Sequence, residues 1–282
     1  MKKCLSICCL MIFLMLLVNL AQWDNNGNED MRQEQAQQQA TIKRQTVYLG
    51  SDGYLDQLLS EEDKKMLIDA FSIQEEEVHS FLQGPRSWEE GRPWSGEWCT
   101  FLVNGNSFGG FGCGLCCMAN IYNTMSPYEV SPWDMCEFAM SVSDYAPNAQ
   151  MGAIDWKEMN NVLRSCGMTC NLYRKPKTYR EFQKQMEWME TAIVLISSKE
   201  DDAYWQDTPG HYVNIWLYQE EDDTVFLAEP GSPENNRQRI PLRYVYDALK
   251  TISKYQYLAV EEYQEQNNQW KADGIDELWN AP

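Results

Sequence analysis

Histidine and positively charged residues are scarce in this sequence. Its 282 residues include only two histidines, His79 and His211, and 23 Lys and Arg against 42 Asp and Glu, which gives a formal net charge of −19. A charge of this sign repels the phosphate backbone of nucleic acids and anionic membrane surfaces. We therefore expect no nucleic-acid partner, and any imidazole that acts as a base must belong to one of these two residues.

The two histidines lie in different sequence contexts. His79 lies in the acidic stretch EEEVHSFL, ahead of the main domain, which is typical of an ordinary surface residue. His211 follows the Pro209-Gly210 turn and begins an apolar run, so its side chain is predicted at the exposed end of a rigid strand. Any imidazole base is therefore predicted to be His211.

Long apolar runs are also missing, with one exception at the amino terminus. Residues 1–21 place two lysines before an apolar block, which is typical of an export signal that is either cleaved or kept as a membrane anchor. We expect the rest of the chain to be exported, and either secreted or held at the outer face of the cytoplasmic membrane. An uncleaved segment would be its only membrane contact. No ATP-binding or multi-span segment is evident, so a complete export transporter is not expected.

Composition divides the remainder of the chain. A stretch rich in Gln and Asn follows the apolar block, and Ser60 and Ser72 each precede an acidic residue three positions later, which indicates two short capped helices. The predicted order is a signal peptide or anchor over 1–21, a flexible polar linker over 22–53, a short helical extension over 54–86, the main domain over 87–263 and a polar tail over 264–282.

The main domain changes character midway. Its first half has helical spacing of apolar residues from Leu115 to Tyr122, a Ser131-Pro132 helix start, and one apolar face from Trp156 to Cys166. Its second half contains the strand-like runs TAIVLISS, HYVNIWLY, TVFLAE and KYQYLAV. Helices followed by antiparallel strands imply an α+β fold with two lobes, and a functional cleft is expected between them.

Cysteine is the residue type in this sequence with the most reactive side chain. Three cysteines fall inside the apolar block, and seven remain: Cys99, Cys113, Cys116, Cys117, Cys136, Cys166 and Cys170. An odd number in an exported domain leaves at least one thiol that cannot pair within the chain. The sequence does not choose among the possible pairings of the others.

Cys113 is the cysteine best placed to react. It follows the glycine-rich run FGGFG and begins a predicted helix, whose free N–H groups and dipole stabilise a thiolate. Gly112 allows a substrate to approach the backbone closely, and the N–H of Cys113 can donate to an oxyanion. Cys116 and Cys117 lie one turn inside the helix, where packing dominates.

Strand geometry supplies a partner for His211. If Tyr218 opposes Thr224 across the acidic turn, the numbers of opposed residues sum to 442, and Glu229 lies diagonally next to His211 on the same face. A register with an odd sum would separate the two side chains. With the even sum, the carboxylate of Glu229 can orient the imidazole.

Several motifs together resemble a known family. GCGLCCMANIYNTM, VSPWDMCEFA, GAIDWKEMNNVLRSCGM, PGHYVNIWLY and VFLAEPG are similar to the bacteriocin-processing (double-glycine) peptidases and their papain-like cysteine peptidase relatives, over roughly Trp98 to Val260. The resemblance implies a papain-like two-lobed fold with a helical lobe followed by an antiparallel sheet lobe. It also implies Cys113 as nucleophile, His211 as base, and Glu229 where the family has an orienting Asp.

Two departures from the family pattern stand out. The family's oxyanion Gln, several residues before the cysteine, is absent, because no Gln occurs between Gln83 and Gln150. Asn104 or Asn106 would have to supply an amide donor, with Gly112 positioning the substrate. Donors of this kind are worth roughly 10²- to 10³-fold in rate, so their loss would slow turnover.

The sequence therefore predicts an exported cysteine peptidase that acts on peptide or protein substrates without a cofactor or metal. Three alternatives stay open. Cys113-Gly-Leu-Cys116 could be the CxxC pair of a thiol-disulfide oxidoreductase, and the same pair with Cys166 and Cys170 could bind zinc. The fold could also serve as a catalytically weak peptide- or glycan-binding module, lined by some of the eleven tryptophans.

Overall fold

The computed structural model describes residues 72–83, 102–148, 151–199, 203–206 and 208–271. The chain divides into a unit of Met1–Ser72 and a unit of Ile73–Pro282, and every described residue except Ser72 belongs to the second. The predicted signal segment, the linker, the helix predicted at Ser60, and Cys99 lie outside the described residues. Among the residues that are described, no helix is long and apolar enough to cross a membrane.

Six α-helices lie within the described residues: α1 (Phe108–Phe111), α2 (Cys113–Met125), α3 (Pro132–Val142), α4 (Trp156–Ser165), α5 (Tyr179–Met186) and α6 (Leu242–Ala248). Local capping explains where several of them begin. The hydroxyl of Ser131 accepts from the backbone N–H of Asp134 at the start of α3, and the carboxylate of Asp155 accepts from two backbone N–H groups at the start of α4. These side chains satisfy donors that a helix leaves free at its first turn.

The strands form one large and one small sheet in the described part of the chain. Their bounds are β1 (Leu102–Val103), β2 (Asn106–Ser107), β3 (Cys166–Tyr173), β4 (Thr191–Ile196), β5 (His211–Gln219), β6 (Thr224–Ala228), β7 (Gln238–Pro241) and β8 (Tyr257–Asn268). The strands β1 and β2 form a hairpin, and the other six follow the order β3-β8-β4-β5-β6-β7. All neighbouring pairs in the large sheet are antiparallel.

The register of β5 and β6 decides which residues meet at their far ends. Gln219, and not Tyr218, pairs with Thr224 beside the turn, so the end pair differs from the predicted one. A β-bulge between Trp216 and Gln219 then absorbs one residue of β5, with Leu217 at a φ of 51°. Beyond the bulge the opposed residues sum to 442, as in the pair of Asn214 with Ala228. The predicted register is therefore present in the half of β5 that begins with His211. It arises through a β-bulge that the sequence does not predict.

Each face of the large sheet carries its own apolar cluster. On one face, alternate strand residues such as Ile193 and Trp216 pack with the apolar sides of α2, α3 and α4. On the other, residues such as Val194 and Val213 pack with Phe182 of α5 and Val245 of α6. This alternation follows from the two-residue period of strands. The helices of the first half of the domain are therefore anchored to one side of the sheet.

The prediction of helices followed by antiparallel strands is confirmed at this level, while the papain-like two-lobed arrangement stays a prediction. The helix predicted to start at Ser72 is wrong, because the chain forms only a 3₁₀ turn at Glu75–Glu77 before continuing as extended backbone. The three adjacent glutamates of this turn repel one another, and after Val78 the backbone bonds to other segments, as in the bond from the N–H of Phe81 to Oδ1 of Asn120. Strand β8 also extends past Tyr263 into the segment predicted as a polar tail.

Candidate active site

Cys113 is the first residue of α2, directly after the short helix α1. Gly112 joins the two helices, since its N–H donates to the carbonyl oxygen of Phe108 and its own carbonyl accepts from the N–H of Cys116. A Cβ at position 112 would lie 2.6 Å from the ring of Phe108, so this sharp junction requires glycine. Cys113 is a free thiol with 8% of its surface exposed. The helix terminus therefore presents one thiol at the boundary between core and solvent.

His211 is the first residue of β5 and contacts both predicted partners. Its Nε2 forms a short hydrogen bond with Oε1 of Glu229, and the thiol of Cys113 lies within hydrogen-bonding reach of the ring. Because Glu229 occupies Nε2, the nitrogen available to the thiol is Nδ1. The structure thus brings Cys113, His211 and Glu229 together in the order of a nucleophile, a base and an orienting acid.

Glu229 follows β6 and is almost completely buried, with 1% of its surface exposed. Its Oε1 accepts from the backbone N–H of Gly231 at 2.9 Å as well as from His211, and its Oε2 accepts from the indole Nε1 of Trp205 at 2.7 Å. Its backbone N–H donates to Oδ1 of Asn236 at 2.9 Å. A buried carboxylate needs such partners to replace its lost hydration, and this one has a donor on each oxygen.

The electrostatic balance at His211 favours the charged ring. Burial by itself lowers the pKa of His211, but the charge of Glu229 and hydrogen bonds with Cys113 and Glu229 raise it, with the net result that the pKa rises to about 10. The imidazolium therefore persists at neutral pH beside the thiol. A positive charge in this place is the partner that a reactive thiolate needs.

The segment of residues 73–83, hereafter the strap, connects the helical side of the site with the sheet. Its Phe81 N–H donates to Oδ1 of Asn120 in α2, and its Ser80 carbonyl accepts from Nδ2 of Asn236. Asn236 in turn accepts from the backbone of Glu229. The strap is thus bonded both to the helix that carries Cys113 and to the loop that carries the carboxylate.

Gln83 ends the described part of the strap and lies between these same two regions. Its backbone N–H donates to the carbonyl of Pro230 at 2.7 Å, next to Glu229, and its side-chain Nε2 donates to the carbonyl of Gly109 at 3.1 Å, four residues before Cys113. The family pattern places the oxyanion amide only several residues before the cysteine, so sequence analysis did not select Gln83. The structure places this amide against Gly109, in the short helix that precedes Cys113, although Gln83 and Cys113 are thirty positions apart in the sequence.

The other residues predicted to position the oxyanion have different surroundings. Asn104 is exposed in the β1–β2 turn with a φ of 49°, and its amide donates to the carbonyl of Pro147 at 2.8 Å. That contact uses one of the two N–H groups of the amide and ties it to the loop at Pro147. Asn106 begins β2. Gly112 lies directly at the nucleophile, in the junction described above.

Gly231 and Trp205 are two further contributors that sequence reasoning missed. A Cβ at Gly231 would lie 2.9 Å from Nε2 of His211 and 3.3 Å from Oε1 of Glu229, so only glycine lets the loop pass this close. The glycine is visible in the motif VFLAEPG, where it could have been noticed. No comparable signal marks Trp205, which lies in a loop outside any periodic run.

The remaining thiols have the character of packing residues. Cys116 and Cys117 are fully buried, and burial raises the pKa of both well above the usual range. The six cysteines within the described residues are all free, and no three His, Cys, Asp or Glu side chains there are placed to hold a metal ion. The burial of Cys116 weighs against a CxxC redox pair, because a buried thiol is a poor thiolate.

Comparisons with known proteins add little. No protein-family description and no curated protein sequence matches this chain. One similar solved structure is the peptidase domain of Streptococcus ComA, a bi-functional ABC transporter involved in a quorum-sensing pathway, with 13% identity and a TM-score of 0.37, covering 53% of this chain and 88% of that one. A second, from Bacillus anthracis, is described as a C39-like peptidase, with 10% identity, a TM-score of 0.33 and coverage of 54% and 90%.

Proposed function

We propose that this protein is an exported cysteine peptidase with a Cys113-His211-Glu229 triad and a papain-like two-lobed arrangement. The observation that supports it best is the contact of a helix-terminal thiol with an imidazole whose other nitrogen is bonded to a buried, fully hydrogen-bonded carboxylate. Export is proposed from the pattern of residues 1–21 alone. The substrate is a peptide or protein.

In the proposed reaction, the thiolate of Cys113 attacks the carbonyl carbon of the scissile bond while its proton rests on His211. His211 gives this proton to the nitrogen of the leaving amine as the C–N bond breaks, which leaves a thioester on Cys113. His211 then removes a proton from water, whose oxygen attacks the thioester. The carboxylic acid leaves and the thiolate and imidazolium are restored.

The negative charge that develops on the substrate oxygen needs donors. The backbone N–H of Cys113 is the first that we propose, because it lies at the helix terminus where backbone donors are free. Gln83 is the second. Its amide carries two N–H groups, of which one donates to Gly109, so the other is available to the oxyanion.

An irreversible thiol-directed peptide probe tests the proposal most directly. The full chain is expected to be labelled at Cys113, with labelling lost in Cys113→Ala and strongly slowed in His211→Ala. Cys116→Ser is the matched control, since it changes a neighbouring thiol in the same helix, and it is expected to be labelled normally.

Three outcomes would overturn the proposal. Equal labelling of Cys113→Ala and the natural protein would exclude Cys113 as the nucleophile. Thiol-disulfide exchange that depends on Cys116 and not on His211 would favour the redox alternative. A chain that retains the peptide of the probe without covalent labelling would instead be a binding module on the same fold.

A further inference from the structure

The carboxylate of Glu229 is held asymmetrically. Oε1 is shared between His211 and the backbone N–H of Gly231, whereas Oε2 has the indole N–H of Trp205 as its partner among the described residues. A carboxyl group rotates easily about its last side-chain bond. The contact with Trp205 therefore sets the plane of the carboxylate, and with it the direction in which Oε1 faces the imidazole.

Trp205 is itself held rigidly enough for this task. Only 5% of its surface is exposed, and it packs in the apolar cluster that includes Val213 of β5 and Leu227 of β6. Its ring meets the ring of Tyr204 edge-on at 4.8 Å, and Tyr204 stacks on Tyr244 of α6 at 5.8 Å. The sheet and α6 thus hold the indole in place, and its hydrogen bond holds the carboxylate.

The burial of Glu229 means that its hydrogen bond with Trp205 is not easily replaced. Water cannot replace the indole N–H easily, because Glu229 is 1% exposed and the hydrogen bond to Trp205 is itself buried. A buried carboxylate oxygen that loses its donor seeks another, and the group then turns or moves away from its other partners. The backbone donor at Gly231 cannot prevent this turn, since it contacts the other oxygen.

We propose that Trp205 is a positioning residue that fixes Glu229, and through it the imidazole of His211, in the orientation needed for proton transfer to and from Cys113. Its kinetic consequence rests on the function proposed above, whereas its structural consequence does not. Misplacement of a catalytic group by a small distance can reduce rate by roughly tenfold to a hundredfold. A loss of this size is expected when the indole N–H is removed, with kcat affected and KM nearly unchanged.

Proton NMR of the full chain separates the two consequences. The natural protein is expected to show a low-field resonance from the His211 ring N–H bonded to Glu229, assigned by its absence in His211→Asn. In Trp205→Phe this resonance is expected to move to higher field and to exchange faster with water. A second variant replaces Trp205 by benzothienylalanine, which keeps the shape of indole but carries sulfur in place of the N–H, so the test survives if Trp205→Phe folds poorly.

Trp216→Phe is the matched control. Trp216 is also buried, in β5, but its indole N–H has no hydrogen-bond partner among the described residues. It is expected to keep both the resonance and the labelling rate. An unchanged resonance in both Trp205 variants, or no such resonance in the natural protein, would overturn the inference.

The outcomes distinguish this inference from the proposed function. If the natural protein is not labelled by the peptide probe but the resonance depends on the indole N–H, the positioning role stands and the peptidase proposal fails. If Cys113 is labelled at the same rate in all Trp205 variants and the resonance does not change, the peptidase proposal stands and the positioning role fails.

Discussion

The carboxylate and the thiol of this site have contrasting surroundings. Glu229 is buried and accepts hydrogen bonds from His211, Gly231 and Trp205, on two neighbouring strands and their loops. Cys113 lies at a helix terminus beside glycines, with 8% of its surface exposed and the ring of His211 as its polar contact. The basic half of the site is thus assembled by the sheet, and the nucleophilic half by a helix terminus.

The contrast teaches where each half is vulnerable. Damage to the carboxylate side should disturb orientation and the charge of His211, because each donor there fixes an angle or a proton. Damage on the thiol side should remove chemistry or oxyanion stabilisation, because the strap and the helix terminus supply the donors. Each half can be tested with a matched control of the same residue type. The pairs are His211 with His79, Gln83 with Gln74, and Asn236 with Asn235.

Loss of His211 should have the largest effect. His211→Ala is expected to reduce kcat/KM for peptide hydrolysis by roughly 10⁶-fold, since members of a triad act as a unit. His79→Ala, which removes the other histidine of the chain, should leave the rate nearly unchanged. A comparable loss in both variants, measured with folding checked by circular dichroism, would show that the effect is structural.

Removal of the Glu229 charge should come next. Glu229→Gln keeps the shape of the side chain but leaves the imidazole without its charged partner, and a fall in kcat of between about 10²- and 10⁴-fold is expected. Steady-state kinetics of the purified variant measure this. A rate within a factor of two of the natural protein would mean that the sheet orients His211 without the carboxylate.

The positive charge of His211 should also determine how the rate depends on pH. A profile of kcat/KM against pH measures this dependence. The pKa of His211 is raised to about 10, so the imidazolium and the activity that needs it are expected to persist at neutral pH and to be lost as pH rises through about 10. Glu229→Gln removes a cause that raises this pKa, and the alkaline limb should therefore move to lower pH. A limb in the same place in both proteins would assign it to another group.

Gln83 tests the thiol side. Gln83→Ala is expected to reduce kcat by roughly 10²- to 10³-fold if its amide stabilises the oxyanion. Gln74→Ala changes a glutamine at the other end of the strap and should have little effect on rate. Equal kcat values for the two variants would remove Gln83 from the proposed machinery while leaving the triad in place.

The smallest expected effect concerns stability. Asn236→Ala removes the side chain that links the Glu229 backbone N–H to the carbonyl of Ser80, and leaves both groups without this partner. The free energy of unfolding should fall by about 1–3 kcal/mol in urea titrations. Asn235→Ala, at the neighbouring and more exposed position, should be nearly neutral, and an equal loss there would point to a general effect on the loop.

Local patterns explain which parts of this fold could be predicted. The helix from Cys113 and the strands from His211 and Thr224 have strong periodicity and clear boundaries, so their existence followed from the sequence. Strand β3 is not predictable in this way, because it follows α4 immediately and its residues CGMTCNLY do not alternate. Helices α5 and α6 are short, and their patterns are weaker than those of the neighbouring strand runs.

The residues of the site likewise divide into those that local patterns predict and those that they do not. Helix position indicates Cys113, the scarcity of histidine and a strand start indicate His211, and strand register indicates Glu229. All of these are visible in the sequence as local or nearly local properties. Gln83 and Trp205 reach the site through tertiary packing from segments whose sequences carry no chemical signature. Single-sequence reasoning cannot supply such contacts, because they depend on how distant segments cross.

The β-bulge at Leu217 has a consequence for how much variation this hairpin can tolerate. The acidic turn lies on one side of the bulge and the His211 end of β5 on the other. A change of turn length by one residue can be absorbed there, as a bulge gained or lost, without moving the pairing of Asn214 with Ala228. Close variants of the turn could therefore accumulate insertions while the site end of the hairpin keeps its alignment.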